Sequence, residues 1–379
     1  MIKILHVIET LGNGGAERVL VNTLPKLKRM GVDCEVVMLF QKEDLKIELE
    51  SRGIKVHKLN IKNRWNLIFA IEKLNHLVKK EKYEILHAHI FFAHFYTALL
   101  KLRNRNFKSV VSFHNLGYDT YPPNTIWRKI RKRIDVYLVN NFIDLRVGVS
   151  QAVKNHYKNH LSLSQIDVIH NGFPTDEIKS TVNKHKLEVF TVSNYKWIVF
   201  TGGRLVKEKG HKYLLEAVEI INRKNPNNQN DILFLIAGDG FLLSEIESKI
   251  QEKSLKNVKM LGNLNHNDLL GFLQISDLVV LPSISEGFPM IVGEAMTLGK
   301  PIITTNVGGI PDFIDNEING VLVSPKNSLL LSDKIDELIS DRKKRERLGE
   351  NAAIKAMDFD INLIATKWHL VYKRLRDEN

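Results

Sequence analysis

A loop-to-helix transition is predicted where the second half of the chain reads Ser283-Ile284-Ser285-Glu286-Gly287-Phe288-Pro289-Met290-Ile291-Val292-Gly293-Glu294. Pro289 suits the first helical position, because the N–H that proline lacks would have no partner there. Glu286 is then expected in the loop and Glu294 about one turn into the helix. An anion site is expected at the N–H groups between the two carboxylates, which belong to Gly287, Phe288, Met290 and Ile291. Carboxylates beside an anion site suit a ligand that has both phosphates and hydroxyls, such as a nucleotide-sugar.

The segments around this stretch alternate between short apolar runs and helical patterns, which is typical of parallel sheets covered by helices. Strands are predicted at 2–8, 33–39, 54–58, 84–89, 108–113, 144–149, 166–169, 197–202, 231–237, 257–261, 277–281, 301–304 and 320–323. Helices are predicted at 15–30, 65–80, 126–142, 210–223, 240–253, 266–274 and 289–298, followed by a helical tail with breaks near Asp341 and Asp358. Both halves therefore predict doubly wound, Rossmann-like α/β domains, and two such domains would face a central cleft.

The length of 379 residues suits two domains rather than one. We expect a first domain at 1–180 and a second at 190–358, with the polar stretch 173–196 as the linker. Because ligands of such sheets bind beyond the carboxyl ends of the strands, the loops at those ends are the places to search for a site.

The composition is that of an ordinary globular protein, with 44% hydrophobic and 26% charged residues. Cys34 is the only cysteine, so no disulfide can form within the chain, which fits a reducing, cytoplasmic compartment. The first residues already predict a strand, and no signal peptide is expected. No apolar run reaches the roughly 18 residues of a membrane-spanning helix.

The formal net charge is +12, and much of the clustering of basic residues lies in the first half of the chain, most densely in one predicted helix. Trp127 and Ile130 interleave there with five basic residues, which are Arg128, Lys129, Arg131, Lys132 and Arg133. A basic helix with an apolar stripe is typical of an anionic membrane surface, so a peripheral position at the inner face of the membrane is expected. An ordinary solvated helix face is the other interpretation. A nucleic-acid-binding protein is disfavoured, because no recognition module or aromatic platform accompanies the charge.

Three glycine-containing loops follow predicted strands. Residues 11–17 contain Gly14 and Gly15, residues 201–210 contain Gly203 with Arg204 and Lys209, and residues 238–240 contain Gly238 and Gly240. Glycines let the backbone approach a phosphate, while arginine and lysine neutralise a diphosphate. Tight turns and, for Asp239, helix capping are the alternative interpretations.

Histidines also gather at predicted strand ends. His114 follows the strand 108–113 and is a candidate contact for sugar or phosphate. His87, His89 and His94 suggest a metal site, which we disfavour because the second half offers no cysteines to complete it. Asp358-Phe359-Asp360 matches a metal-binding Asp-x-Asp pattern, but it lies between helices, where capping by Asp360 explains it better.

The combined motifs resemble the retaining family-4 glycosyltransferases of the GT-B fold over nearly the whole chain. The similarity rests on the glycine loop at 14–17, on Gly203-Arg204 with Lys209-Gly210, and on the Glu-x7-Glu signature from Glu286 to Glu294. It continues through Gly299-Lys300-Pro301, Gly308-Gly309-Ile310-Pro311, Asn319-Gly320 and Asn171-Gly172.

The resemblance implies a role for each of these residues. Arg204 and Lys209 would bind the donor diphosphate, Glu294 the ribose and Glu286 the sugar hydroxyls. His114 would lie near the transferred sugar, Gly15 would let its loop close on the donor, and a last helix at about 360–379 would pack back on the first domain. The implied reaction is a metal-independent, retaining transfer of a hexose or N-acetylhexosamine, with UDP as the expected nucleotide and no cofactor. The expected acceptor is a glycan or lipid-linked molecule of bacterial surface polysaccharide or lipopolysaccharide assembly.

Two alternative functions are compatible with the same expected fold. A sugar-phosphate isomerase of the same two-domain architecture would lack the paired Glu286 and Glu294. A non-catalytic scaffold that binds sugar nucleotides would keep the donor loops without turnover.

Overall fold

The protein is described by a computed structural model that covers residues 2–120, 122–184 and 195–378. The chain divides into two compact units, one formed by Met1–Gly172 with Ile361–Asn379 and the other by Phe173–Asp360. Each unit has its own parallel sheet and its own hydrophobic core.

The sheet of the first unit has seven strands in the order β3-β2-β1-β4-β5-β6-β7. In chain order they are β1 Ile2–Ile8, β2 Val32–Met38, β3 Lys55–Lys58, β4 Ile85–His89, β5 Lys108–Phe113, β6 Leu145–Gly148 and β7 Asp167–Val168. Seven helices accompany them: α1 Gly15–Arg29, α2 Lys46–Ser51, α3 Leu67–Glu81, α4 Phe91–Arg103, α5 Gly117–Thr120, α6 Ile126–Phe142 and α7 Gln151–Leu161.

The sheet of the second unit has six strands in the order β10-β9-β8-β11-β12-β13. They are β8 Trp197–Gly202, β9 Ile232–Ala237, β10 Val258–Gly262, β11 Leu278–Leu281, β12 Ile302–Thr305 and β13 Val321–Val323. Its helices are α8 Thr175–Lys184, α9 His211–Lys224, α10 Asn228–Asp231, α11 Leu243–Glu252, α12 His266–Ile275, α13 Met290–Thr297, α14 Ser328–Ser340 and α15 Arg342–Ala356.

The last helix, α16 (Ile361–Asp377), belongs to the first unit and packs against α1. Trp368 and Tyr372 of α16 join the same buried cluster as Ile4 of β1 and Leu20 and Leu24 of α1. The burial of large aromatic and aliphatic side chains is what holds this terminal helix in place.

The structure confirms all thirteen predicted strands to within one residue at each end. The strands were predictable because buried parallel strands are short apolar runs that end at turn residues. In the second unit, β9 (Ile232–Ala237) is buried along its whole length, which explains its unbroken apolar sequence.

The prediction of a linker over 173–196 is wrong for its first part. Thr175–Lys184 is a helix of the second unit and packs against α12 and α13. The segment has a helical pattern despite its polarity, since Ile178 is buried while Asp176 and Glu177 favour the N-terminal turn. The remaining predicted linker residues 185–194 lie outside the described residues.

Pro289 was predicted at the first helical position, and the structure corrects this by one residue. The helix begins at Met290, and Pro289 is its N-cap residue with φ −72° and ψ 113°. Its extended backbone is the usual conformation of an N-cap residue, so Glu294 still lies about one turn into the helix.

Among the helices of the described residues, none combines the length and the apolar character that crossing a membrane would require.

Candidate functional site

The loops after β8 and β9 meet backbone to backbone at the carboxyl edge of the second sheet. Gly203 donates its N–H to the carbonyl of Ala237 at 3.0 Å, and Leu205 donates to Asp239 at 2.9 Å. Gly238 has φ +139°, and a Cβ atom there would lie 1.9 Å from the carbonyl oxygen of Gly203. Only glycine fits this contact, so the predicted glycines bring the two loops together.

Asp239 does not cap the following helix, which was the alternative interpretation of this turn. The helix α11 begins at Leu243 with Leu242 as its N-cap residue, whereas Asp239 accepts a hydrogen bond from the N–H of Gly240 at 2.7 Å. Asp239 therefore shapes the turn itself.

The loop after β8 is also fixed against the loop after β11. Ile284 donates its N–H to the carbonyl of Glu208 at 2.7 Å. Gly210 has φ +66°, and a Cβ atom there would lie 2.0 Å from the carbonyl oxygen of Pro282. This close approach brings Lys209, the last residue of a short 3-10 turn, to the Glu286 loop.

Glu286 is a buried carboxylate with two donors on one oxygen. Its Oε1 accepts hydrogen bonds from Nζ of Lys209 and from Oγ of Ser283, each at 2.6 Å. The backbone of Glu286 is held as well, because Gly309 donates its N–H to the Glu286 carbonyl at 3.2 Å. Gly308 makes that approach sterically feasible, since a Cβ atom there would lie 1.8 Å from the same carbonyl oxygen.

Arg204 lies in the same loop as Lys209 and is exposed. In the part of the chain that the structure describes, no carboxylate forms an ion pair with its guanidinium. The loop thus carries one cation that is fixed by Glu286 and one that is available to an anionic ligand.

Glu294 is buried in α13, and its Oε1 lies 2.9 Å from Nε2 of His266. His266 is the first residue of α12, whose N-cap Asn265 accepts a hydrogen bond from the N–H of Asp268. His266 was not predicted as a site residue, although it follows β10 closely and so lies at the same sheet edge as the other candidate loops.

The start of α13 combines backbone donors with a packed aromatic ring. Phe288 is buried and its ring centre lies 3.9 Å from that of Phe313. Its side chain therefore belongs to the core, and only its backbone can face a ligand. The first turn of α13 contains Met290 and Ile291, and Gly287 lies in the loop just before it. Backbone N–H groups at the start of a helix lack partners within the helix.

In the first unit, the predicted glycine loop leads into α1. Gly14 is the N-cap residue of this helix and Gly15 its first residue. A Cβ atom on Gly14 would lie 2.3 Å from Oε2 of Glu17. Glu17 is buried, which raises the pKa of its carboxyl, and its Oε1 accepts a hydrogen bond from Thr10 at 3.2 Å.

His114 directly follows β5, and its Nε2 lies 3.0 Å from Nδ1 of His89. The structure separates His94 from this group, because His94 Nε2 lies 3.1 Å from Oδ1 of the buried Asp135. His6 takes its place, with Nδ1 3.1 Å from Nε2 of His89. His6 was not predicted as a member of this group, since its position beside His89 depends on the pairing of β1 with β4.

Two groups of side chains within the described residues have the ligand spacing of a metal site. They are His6, His87 and His89 in the first sheet, and Asp119, His156 and His160 around α7. In the second group, the N–H of Tyr118 donates to Nε2 of His156 at 3.1 Å. His156 then carries its proton on Nδ1, 3.3 Å from Asp119, and that nitrogen has no lone pair for a metal.

Comparison with protein families gives a match for each half of the chain. Residues 13–177 match the profile described as Glycosyltransferase Family 4, and residues 184–355 match the one described as Glycosyl transferases group 1. The chain is a glycosyltransferase with the GT-B fold.

Known proteins resemble this glycosyltransferase over most of their length. An uncharacterized glycosyltransferase of Methanocaldococcus jannaschii is 28% identical over 82% of this chain and 81% of its own. The capsular polysaccharide biosynthesis glycosyltransferase CapH of Staphylococcus aureus is 26% identical over 98% and 99% of the two chains. The crystal structure of Anabaena HepE in complex with UDP and glucose superimposes with a TM-score of 0.84 at 24% identity, over 99% and 100% of the chains.

Proposed function

We propose that this glycosyltransferase moves a hexose or N-acetylhexosamine from a nucleoside diphosphate sugar to a hydroxyl of a glycan or lipid-linked acceptor, with retention of the anomeric configuration. The observation that carries the proposal is the cluster of Lys209, Glu286 and Ser283 beside the exposed Arg204. It combines cations for a diphosphate with a carboxylate for sugar hydroxyls. A plain anion-binding loop would not need the buried carboxylate.

UDP is the proposed nucleotide, and surface polysaccharide or lipopolysaccharide assembly is the proposed pathway class. The first is supported by HepE, which was crystallised with UDP and glucose, and the second by CapH, which is named for capsular polysaccharide biosynthesis. Both proteins match over nearly their whole length.

The diphosphate would be bound by Arg204 and Lys209 together with the N–H groups at the start of α13. As the bond between the sugar and the diphosphate breaks, negative charge grows on the leaving phosphate. A guanidinium and an ammonium that are already positioned stabilise this charge without a reorganisation of water. In this proposal the two cations and the helix terminus take the part that a divalent metal has in other transferases.

Glu294 would accept hydrogen bonds from the ribose hydroxyls. Its Oε1 is 2.9 Å from His266, and that contact orients the carboxylate before the nucleotide binds. Glu286 would accept hydrogen bonds from the sugar through Oε2, since Lys209 and Ser283 both donate to Oε1.

The reaction would be a displacement on one face of the sugar. The bond from the anomeric carbon to the diphosphate oxygen breaks, and the bond to the acceptor oxygen forms on the same face. The acceptor proton passes to the departing phosphate oxygen, so no protein nucleophile is assigned. Catalysis then rests on positioning and on charge stabilisation.

The acceptor is proposed to be presented at an anionic membrane surface. Five apolar side chains of α6 are exposed, from Ile126 at 65% and Trp127 at 78% to Ile130, Ile134 and Tyr137. They recur at helical spacing and alternate with Arg128, Lys129, Arg131, Lys132 and Arg133. Basic residues around an exposed apolar stripe are the pattern of helices that lie in a lipid interface.

The proposal is tested by thermal shift with UDP, GDP, ADP and TDP, each with magnesium and with EDTA. A ligand that binds only the folded protein raises its melting temperature. We expect a rise with UDP that EDTA does not remove. A flat panel, or a rise that EDTA abolishes, would contradict the metal-independent donor site.

Transfer itself is tested with the nucleotide-sugar that matches the bound nucleotide and a panel of glycan acceptors. Proton NMR of the first product reports the anomeric configuration before any equilibration. Nucleotide binding without turnover on any acceptor would favour the alternative of a non-catalytic scaffold.

A further inference from the structure

Three imidazoles in the first unit form one hydrogen-bonded chain. His6 Nδ1 lies 3.1 Å from His89 Nε2, and His89 Nδ1 lies 3.0 Å from His114 Nε2. The residues come from β1, from β4 and from the end of β5, which are adjacent strands. None of the three histidines takes part in the proposed function as described above, so the cluster needs an explanation of its own.

The three hydrogen-bonded imidazoles are electrically neutral at physiological pH. His6 and His89 are buried, and burial lowers the pKa of His6 to about 3 and that of His89 well below its usual range. Burial lowers the pKa of His114 as well. A neutral imidazole has one N–H and one lone pair, so each hydrogen bond in the chain fixes the next one.

Only two arrangements of protons satisfy both hydrogen bonds. In one, His6 donates to His89 and His89 donates to His114, which leaves an N–H on Nδ1 of His114. In the other, every proton is reversed and Nδ1 of His114 is an acceptor. The protonation of His114 is therefore coupled to a residue that it does not touch.

The two terminal nitrogens of this hydrogen-bonded chain of imidazoles have no hydrogen-bond partner among the described residues. Among the residues that the structure describes, neither Nε2 of His6 nor Nδ1 of His114 has a hydrogen-bond partner, although both atoms are buried. Buried polar atoms normally have a hydrogen-bond partner, so we expect each of these nitrogens to gain one in the active protein. The cavity along the chain holds only about 20 Å³, room for about one water-sized group, so a sugar or nucleotide cannot bind inside the cluster.

We propose that His89 and His6 are positioning residues that hold His114 as a neutral hydrogen-bond donor, with its proton on Nδ1, toward a substrate group that accepts hydrogen bonds. This inference rests on the proposed function. This direction suits a substrate group that accepts hydrogen bonds, as phosphate oxygens do. Thr23, whose hydroxyl borders the same cavity without a partner, offers a donor near the other end of the chain.

His87 provides a contrast within the same cluster. Its ring centre lies 4.1 Å from that of His89, but its nitrogens are engaged outside the chain. Nδ1 lies 2.7 Å from the hydroxyl of Tyr372, and Nε2 lies 2.8 Å from that of Ser112. Removing the Tyr372 hydroxyl therefore perturbs the buried cluster without breaking a hydrogen bond between His6, His89 and His114.

The test is long-range proton–nitrogen NMR of the full-length protein labelled with ¹⁵N in histidine, because the nitrogen shifts report which ring nitrogen carries the proton. The His114 signals are assigned by their loss in His114→Gln. We expect the wild type to show a single tautomer of His114, protonated on Nδ1. We expect His6→Phe to convert it to a mixture, while the control Tyr372→Phe leaves it unchanged.

Two results would overturn the proposal: a wild-type His114 protonated on Nε2, or a His6→Phe variant whose His114 signals match the wild type. The wild-type spectrum is decisive even if His6→Phe does not fold. No substrate is needed, so the result is independent of whether the proposed transfer reaction occurs.

A kinetic experiment then links the chain to the reaction. We expect His89→Gln to lower kcat about tenfold, the effect of one lost or misplaced hydrogen bond, with little change in nucleotide affinity. The double variant with His114→Gln should be no slower than His114→Gln alone, since residues that act as one unit are not additive. Additive losses would mean that His89 acts independently of His114.

Discussion

The ammonium of Lys209 lies 2.6 Å from Oε1 of Glu286, and the exposed fractions of the two side chains are only 18% and 7%. The pair joins the loop after β8 to the loop after β11 across the carboxyl edge of the second sheet. Each partner depends on the other, because an unpaired charge at this depth is unfavourable. The pair therefore positions a cation for the diphosphate and a carboxylate for the sugar at the same time.

This coupling predicts non-additive stability. Glu286→Gln and Lys209→Met should each destabilise the protein, whereas the double variant should lose less than the sum. We expect a coupling on the order of 1–3 kcal/mol in a double-mutant cycle measured by denaturant unfolding. Ser283→Ala serves as a control that removes a donor to the same oxygen but leaves the charges paired. Strict additivity would show that the pair is not coupled.

Arg204 should matter for turnover and not for stability, because its side chain is exposed. Arg204→Ala should lower kcat/KM for transfer by about a hundredfold or more, as the positive charge is needed most when the diphosphate departs. Lys207→Ala is the matched control, since Lys207 is an exposed cation of the same loop. Kinetics and melting temperature are measured for both variants. A folded Arg204→Ala enzyme with wild-type turnover would remove Arg204 from the proposed mechanism.

Glu294 should discriminate ribose from deoxyribose. If its carboxylate accepts hydrogen bonds from the ribose hydroxyls, the wild type should bind UDP about tenfold more tightly than 2′-deoxy-UDP. Glu294→Gln should weaken UDP binding and reduce that difference, as measured by calorimetry. His266→Ala should have a smaller effect in the same direction, because it removes only the contact that orients Glu294. Equal discrimination in wild type and Glu294→Gln would contradict the assignment.

The strand pattern and most of the donor loops could be predicted from the sequence because the determinants are local. Buried strands are apolar runs, and the glycines at 210, 238 and 308 mark places where a Cβ atom would meet another backbone. The order of the strands is not local. His6 lies beside His89 only because β1 pairs with β4, and His266 reaches Glu294 only because β10 and β11 end at the same edge.

The segment 173–184 shows a different limit. Its polarity suggests a linker, yet Ile178 is buried and Thr175 donates a hydrogen bond to Asp360 at 2.6 Å. A short amphipathic helix needs only one or two buried side chains, so composition alone does not distinguish it from a connecting segment.

Acid should destabilise the second unit through His211. Burial lowers the pKa of His211 from its ordinary 6.5 to about 4. The unfolded chain therefore binds one more proton than the folded protein between those values, so stability is full above pH 6.5 and falls as the pH drops toward 4. One proton corresponds to about 1.4 kcal/mol per pH unit. His211→Gln should lower the slope of unfolding free energy against pH by about this amount, while His76→Gln, on an exposed part of α3, should not. Equal slopes in all three proteins would contradict this assignment.

Trp127 should direct membrane association. Its exposed fraction is 78%, and the apolar stripe around it is flanked by basic residues, so insertion into an anionic interface combines apolar burial with charge attraction. Trp127→Glu should reduce flotation with vesicles of anionic phospholipid by severalfold. Ile47→Glu is a matched control, because Ile47 is also 78% exposed but lies on α2, outside the stripe. The protein should bind weakly to vesicles of neutral lipid, and added salt should weaken its binding to the anionic vesicles. If the two variants float equally well, α6 is an ordinary solvated helix and the acceptor must reach the enzyme by another route.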